Sequence, residues 1–191
     1  MAPTFSVVIP LHNKARSICS TIASVLNQTF TDYEVIVVDD GSTDGGPAAV
    51  TATFGDEVTL VRQANKGVSG ARNAGISLAR GRFVALLDAD DMWDPGFLST
   101  ILEMIDIYPE ARVFGARYRY QTASSTYVME KVPIEGYFDY FGNEKRFCAS
   151  TVAIARGCFE KAGMFNEALS RGEDLDMWER LALYYQIAVT S

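Results

Sequence analysis

Residues 83–91 read Phe-Val-Ala-Leu-Leu-Asp-Ala-Asp-Asp. An unbroken apolar run ends in Asp88, Asp90 and Asp91. A strand with one wet face would alternate apolar and polar side chains. A short run without alternation instead predicts a strand buried on both faces, the kind found in the middle of a parallel sheet. The three acids then stand at its carboxyl end, the edge where open α/β sheets bind their ligands. Carboxylates this close repel one another unless a cation or solvent screens them. Mg²⁺ and Mn²⁺ take oxygen ligands of this type, commonly shared with substrate phosphates. The same acids also read as a solvated loop ahead of the next helix, and the stretch alone leaves both readings open.

The rest of the first half repeats the pattern. Phe5 to Pro10 predicts a first strand, and Ile18, Ile22, Val25 and Leu26 give a helix over 14–28 its apolar face. Val35 to Val38 is a second buried strand that again ends in acids, Asp39 and Asp40. Ser42, Thr43 and Asp44 offer caps for a helix running to Phe54. Val58 to Val61 is a third strand, and small residues over 68–80 suit a helix lying close on the sheet. Pro95 fits a first helical turn before the stripe Phe97, Leu98, Ile101, Leu102 and Ile105. Alternating β and α elements predict a wound, mostly parallel sheet with right-handed crossovers. After residue 110 the pattern changes. Val113–Tyr120, Tyr127–Val132 and Cys148–Ala155 read as strands of a mixed sheet. A short helix over 156–162, a loop over 166–172, a helix from Glu173 and a strand at Ile187–Val189 complete the chain.

Composition narrows the function classes. A formal charge of −7 over 191 residues argues against a nucleic-acid binder with a broad basic face. Cys19, Cys148 and Cys158 have no metal-ligand spacing and fit a reducing compartment as small buried apolar groups. With His12 as the single histidine, a His-rich metal site is excluded. No apolar run reaches the ~18 residues of a membrane span, and the first residues lack a signal-peptide pattern. The expected location is cytoplasmic.

Three predicted strands end in polar residues: Pro10, His12 and Asn13; Asp39 and Asp40; Asp88, Asp90 and Asp91. If strands one and four are neighbours, their carboxyl ends form a topological switch point and these residues share one pocket. Asn65, Lys66, Gly67, Arg72 and Asn73 add amide and cationic groups from the next helix, whose N-terminus favours phosphates.

Six stretches in order carry a resemblance. They are Val-Val-Ile-Pro-Leu-His-Asn at 7–13, Ser-Val-Leu-Asn-Gln-Thr at 24–29 and Val-Val-Asp-Asp-Gly-Ser-Thr-Asp at 37–44. Asn-Lys-Gly at 65–67 with Ala-Arg-Asn-Ala-Gly at 71–75, Leu-Asp-Ala-Asp-Asp at 87–91, and Gly-Glu-Asp-Leu-Asp-Met-Trp-Glu-Arg-Leu at 172–181 complete the set. Together they resemble family 2 glycosyltransferases of the GT-A fold. The resemblance implies an α/β, Rossmann-like single domain over 1–191, with a mostly parallel central sheet flanked by helices and a mixed sheet in its second half. Residues 1–110 would bind the nucleotide sugar, and 111–191 would face the acceptor, with an abrupt C-terminal end that suggests a longer protein.

The implied activity is inverting transfer from a nucleotide-diphosphate sugar, with a UDP-sugar expected, to a hydroxyl acceptor. The setting would be cell-surface polysaccharide or glycoconjugate synthesis. Mg²⁺ or Mn²⁺ is the implied cofactor, and a saccharide or lipid-linked saccharide the implied acceptor. Peripheral association with the inner membrane face is compatible with the absence of a spanning segment. Carried over by position, Pro10, His12, Asp40, Arg72, Asp88 and Asp90 are nucleotide-binding residues, Asp90 and Asp91 metal ligands, and Asp174 the general base. Glu173 and Asp176 stand as alternatives for the base, and Trp93 as a sugar-stacking candidate. Against this stand a sugar nucleotidyltransferase, which wants a Gly-rich basic segment after strand one, and a dehydrogenase, which wants G-x-G-x-x-G; neither pattern is present. A nucleotide-sugar-binding module without turnover is the non-enzymatic alternative.

Overall fold

The computed structural model describes residues 2–116, 132–134 and 147–189. The first half contains β1 (Phe5–Leu11), α1 (Ile18–Leu26), β2 (Tyr33–Asp40), α2 (Gly46–Phe54), β3 (Thr59–Gln63), α3 (Gly67–Leu78), β4 (Phe83–Leu86) and α4 (Phe97–Ile107). The second contributes β5 (Ala111–Gly115), β6 (Val132–Ile134), β7 (Val152–Ala155), α5 (Cys158–Ala162), α6 (Glu173–Ala182) and β8 (Gln186–Val189).

Among the described residues one eight-stranded sheet runs in the order β3-β2-β1-β4-β7-β5-β8-β6. β3, β2, β1 and β4 are mutually parallel; β7 lies antiparallel between β4 and β5. β8 is parallel to β5 and antiparallel to β6. Val8 on β1 faces Ile36 on one side and Leu86 on the other, which makes β1 the axis of the parallel part. The chain steps outward from β1 to β3, and α3 then carries it back to the opposite side of β1. The switch point between β1 and β4 is therefore real.

Both sheet faces are buried, as the unbroken apolar runs require. Val7, Ile9 and Leu11 point into a core with Ile18 and Ile22 of α1, Val50 of α2 and Leu98 and Ile101 of α4. Val8, Ile36 and Val38 point the other way, onto Ala71 and Ile76 of α3, Phe159 of α5 and Trp178 of α6. Gly75 lets α3 lie directly on β1: a Cβ built there would sit 2.3 Å from Val8 Cγ1. Gly75→Ala should therefore lower stability by about 1–3 kcal/mol through overpacking. Denaturant unfolding measures this, and an unchanged midpoint would show that α3 can lift without penalty.

Several boundaries differ from expectation. Cys148–Ala155 is not one strand: a 3₁₀ turn, Ala149–Thr151, precedes β7. Thr151 N donates to the Cys148 carbonyl at 3.0 Å, and Cys148 N donates to Thr151 Oγ1 at 3.2 Å. The β-branched residue is thus used as a turn-former through its hydroxyl. Pro95 is not in the first turn of α4, which opens at Phe97 after Gly96; the Pro95 carbonyl instead accepts from Thr29 N at 2.9 Å. β5 ends at Gly115, and the remainder of Val113–Tyr120 and all of Tyr127–Val132 except Val132 lie mainly or wholly outside the described residues. No helix among the described residues is long and apolar enough to cross a membrane.

Candidate active site

The carboxyl ends of β1, β2 and β4 and the start of α3 surround a cleft of about 330 Å³. Pro10, His12, Asp40, Asp88 and Asp90 all line it, together with Lys14, Asn65, Gly67 and Val68. Five of the expected nucleotide-site residues thus converge, although their segments are separated by up to eighty positions.

The β1 and β2 ends are tied to each other by hydrogen bonds. His12 Nδ1 donates to the Asp40 carbonyl at 2.8 Å, which fixes the tautomer and leaves Nε2 to accept from Asn13 Nδ2 at 3.1 Å. Asn13, at φ +53°, accepts from Thr43 N at 2.8 Å and donates its own N–H to Ser42 Oγ at 3.1 Å. Asp44 accepts from Ala15 N and Gly46 N, both at 2.9 Å, and these backbone donors hold its carboxyl below the usual carboxylate range. Gly45, rather than Ser42, Thr43 or Asp44, is the N-cap residue of α2. Asp39 Oδ1 accepts from Ser42 N at 2.9 Å and so orients the Ser-Thr turn.

Asp40 is 2% exposed. Its Oδ1 accepts from Gln63 Nε2 at 2.7 Å and from Lys66 N at 2.8 Å. Oδ2 receives no protein hydrogen bond among the described residues. A carboxylate oriented through one oxygen while its other oxygen faces a cleft can accept from a ligand N–H or O–H. Gly41 keeps this corner tight: at φ +68° it places the position of a Cβ only 3.0 Å from Asn65 N.

The acid turn after β4 closes through Asp91 N donating to the Asp88 carbonyl at 3.0 Å. Ser150, 1% exposed, grips both of its ends. Its Oγ accepts from Asp88 N at 3.0 Å and donates to Asp91 Oδ2 at 2.5 Å. Asp91 is thereby drawn toward Ser150 and is not among the residues lining the cleft, whereas Asp90 lines it and pairs with Lys14 Nζ. No group of three or more His, Cys, Asp or Glu side chains among the described residues is arranged as a metal site. The donor set still suits Mg²⁺ or Mn²⁺ in the mode where one or two carboxylates hold the ion and substrate phosphates and water supply the rest. Asp90, an exposed all-oxygen ligand on the cleft wall, meets that need.

Arg72 is placed differently from expectation. It is 2% exposed and does not line the cleft. Nη2 donates to Asp88 Oδ1 at 2.8 Å and Nη1 to Glu173 Oε1 at 2.9 Å, with the Phe165 ring centre 5.3 Å from the guanidinium. Its buried Nε has no hydrogen-bond partner among the described residues. Burial by itself would lower its pKa, but the two carboxylates outweigh that and leave it raised. Arg72 therefore joins Asp88, just past the end of β4, to Glu173, the first residue of α6.

Asp174 also lies outside the lining of the cleft, one residue along α6 from that joint. Its Oδ1 accepts from Leu175 N at 2.8 Å. The alternatives for a base are engaged: Glu173 with Arg72, and Asp176 with Arg180 at 2.7 Å. Among the described residues Asp174 makes no salt bridge.

Trp93 cannot stack on a sugar here. It is 4% exposed, stacked on Phe97 with ring centres 4.2 Å apart, and its Nε1 donates to the Ser150 carbonyl at 2.6 Å. Trp178 is core, fully buried beside Phe147. Burial pushes the Cys148 and Cys158 thiols up to about 11, which removes them as nucleophiles at neutral pH. Sequence reasoning missed Lys14 and Ser150. Lys14 carried a local signal, as the first cation after a strand end already read as part of a pocket. Ser150 carried none, because its position follows from β7 lying beside β4.

The match to known proteins agrees with this geometry. The family model described as glycosyl transferase family 2 matches residues 6–171. An uncharacterized glycosyltransferase of Nostoc sp. is 45% identical over 102 residues, covering 52% of this chain and 32% of the relative. Curated relatives matched here are longer, and the chain spans about a third to a half of the first of them. The crystal structure of S. aureus TarS in complex with UDP-GlcNAc superposes with a TM-score of 0.78 at 23% identity, covering 99% of this chain and 56% of that one. The mannosyltransferase PcManGT of Pyrobaculum calidifontis, in complex with GDP-Man and Mn²⁺, gives 0.73 at 22% identity over 99% of this chain and 57% of that one. Both likenesses establish the GT-A fold. With the family model spanning most of its length and the strand ends assembled as that fold requires, the chain belongs to the family 2 glycosyl transferases.

Proposed function

We propose that this chain binds a nucleotide-diphosphate sugar, a UDP-sugar first among them, in the β1/β2/β4 cleft and transfers the sugar to a hydroxyl acceptor with inversion. The observation that carries the reading is the convergence of Pro10, His12, Asp40, Asp88 and Asp90 on one cleft at the topological switch point. Asp40 is assigned to the base through its free Oδ2, and His12 and Pro10 to the nucleoside wall. Asp88 and Asp90 face the ribose and diphosphate. TarS holding UDP-GlcNAc and PcManGT holding GDP-Man with Mn²⁺ support a donor of this class on this fold.

Breaking the sugar–phosphate bond leaves negative charge on the diphosphate. Asp90, with Asp91 behind it, is assigned to hold Mg²⁺ or Mn²⁺, which would supply Lewis-acid neutralisation of that charge. On the opposite side of the anomeric carbon the acceptor hydroxyl must lose its proton as it attacks. Asp174 is assigned this role. Its carboxylate stands in the first turn of α6 and makes no salt bridge among the described residues, so an oxygen is available to accept that proton. Arg72 is reassigned from nucleotide contact to a strut between the donor acids and the base-bearing helix. The acceptor is assigned as a saccharide or lipid-linked saccharide in polysaccharide or glycoconjugate synthesis, at the cytoplasmic face of the membrane.

A thermal-shift and calorimetric screen of nucleotide sugars with and without Mn²⁺ tests the reading. UDP or a UDP-sugar should stabilise the protein, more strongly with the metal. Asp90→Ala should remove most of the metal-dependent gain in affinity while the metal-free affinity stays. Equal UDP affinity of Asp90→Ala and wild type in Mn²⁺ would reassign the ligand. A protein that binds the nucleotide sugar but shows no transfer to any acceptor would be a binding module.

A further inference from the structure

A nucleoside diphosphate carries its charge on the pyrophosphate, and the cleft is poorly charged to receive it. Three of its lining side chains are carboxylates, Asp40, Asp88 and Asp90, and one lining residue, Lys14, is a fixed cation. Other basic groups of the neighbouring segments do not serve: Arg72 is buried between two carboxylates, and Arg16, Arg62 and Lys66 do not line the cleft.

We propose that Lys14 is the diphosphate-binding residue of this cleft, parked on Asp90 in the free protein and transferred to the diphosphate when the donor enters. This rests on the proposed donor site. Three observations favour it. First, the Lys14 backbone is fixed: its carbonyl accepts from Ser17 N at 3.1 Å and Ile18 N at 3.0 Å, at the entry to α1. Only the flexible stem has to move. Second, the Lys14–Asp90 pair is cheap to break. Its side chains are 44% and 49% exposed, and such solvent-facing pairs contribute little to stability. Third, the exchange satisfies both partners. The ammonium gains charge-assisted bonds to phosphate oxygens, and Asp90 is released to serve as a ligand in its own right. Lys14 thereby also neutralises charge that builds on the leaving diphosphate, so it touches the substrate in the ground state and during bond cleavage.

The test compares UDP with uridine by calorimetry, in Mn²⁺-containing buffer, for the full chain, Lys14→Met and Lys14→Arg. Uridine lacks the diphosphate and so reports the nucleoside wall alone. Lys14→Met should weaken UDP binding by about tenfold or more, the usual scale for a lost hydrogen bond to a charged group, and leave uridine binding unchanged. Lys14→Arg, which keeps the charge, should recover most of the lost affinity. Equal UDP affinity of Lys14→Met and wild type overturns the proposal, as does a matching loss of UDP and uridine. If the wild-type protein binds neither ligand, the donor-site reading itself fails and this inference falls with it. If the wild type binds UDP and only the Lys14 contrast is missing, the donor site stands and Lys14 is a surface ion pair.

Discussion

Exchanging Asp174 for asparagine is expected to reduce glycosyl transfer by about 10²–10⁴-fold, the contribution of a positioned general base, with UDP affinity nearly unchanged. The amide keeps the size of the side chain and its hydrogen bond to Leu175 N but cannot take up the acceptor's proton. The separation from the donor cleft makes the contrast sharp. Asp174 does not line that cleft, so donor binding has no reason to change. Rapid-quench transfer assays paired with UDP titrations read the two quantities separately. Transfer at the wild-type rate would move the base elsewhere. Glu173 and Asp176 are poor successors, because each is already held by an arginine.

Replacing Arg72 by methionine is expected to destabilise the fold by about 3–5 kcal/mol, the range for removing one partner from a buried ion pair. Methionine fills much of the same volume, so the loss is chiefly electrostatic. Glu173 would keep a largely buried carboxylate, 15% exposed, without its guanidinium. Asp88, 35% exposed, would be affected less because water reaches it. Urea unfolding of Arg72→Met against wild type gives the size of the effect. Adding Glu173→Gln should return part of the loss, since the stranded charge is then gone. A loss below 1 kcal/mol in Arg72→Met would mean that the α6 start swings free and resolvates Glu173.

The parallel half of the fold was legible because its strands are buried on both faces. Phe83–Leu87 and Val35–Val38 have no polar position to hide, so their length and polarity break announced both the strand and its ligand-facing end. The neighbourhood of β1 and β4 stood only as a condition in the sequence, because alternation of elements does not fix strand order; the pairing of Phe5 with Phe83 supplies it. The second half was less legible because its geometry is set by long-range pairing. Thr151 reads as a strand residue, yet its hydroxyl builds a turn. Arg72 reads as a cation for a phosphate, yet its partner Glu173 lies 101 positions away. Trp93 stands beside three acids in sequence but is folded into the α4 packing. In the site itself, residue types at strand ends were readable, whereas the groups that orient them, Gln63 on Asp40 and Ser150 on Asp91, were not.

The strand order has a consequence for how such a protein can be cut and recombined. β7, from late in the chain, lies between β4 and β5 and delivers Ser150 to the acid turn. A division near residue 110 looks natural along the sequence, but it would separate the acid turn after β4 from the side chain that shapes it. Such a fragment would also leave the open edge of β4 without its neighbour, a row of unpaired backbone groups prone to join other chains. An exchange of the proposed donor site between relatives would therefore have to carry the 148–155 segment along with the first four strands. The unit that can be inherited or engineered as one piece is a set of adjacent strands in the sheet, not a contiguous length of chain.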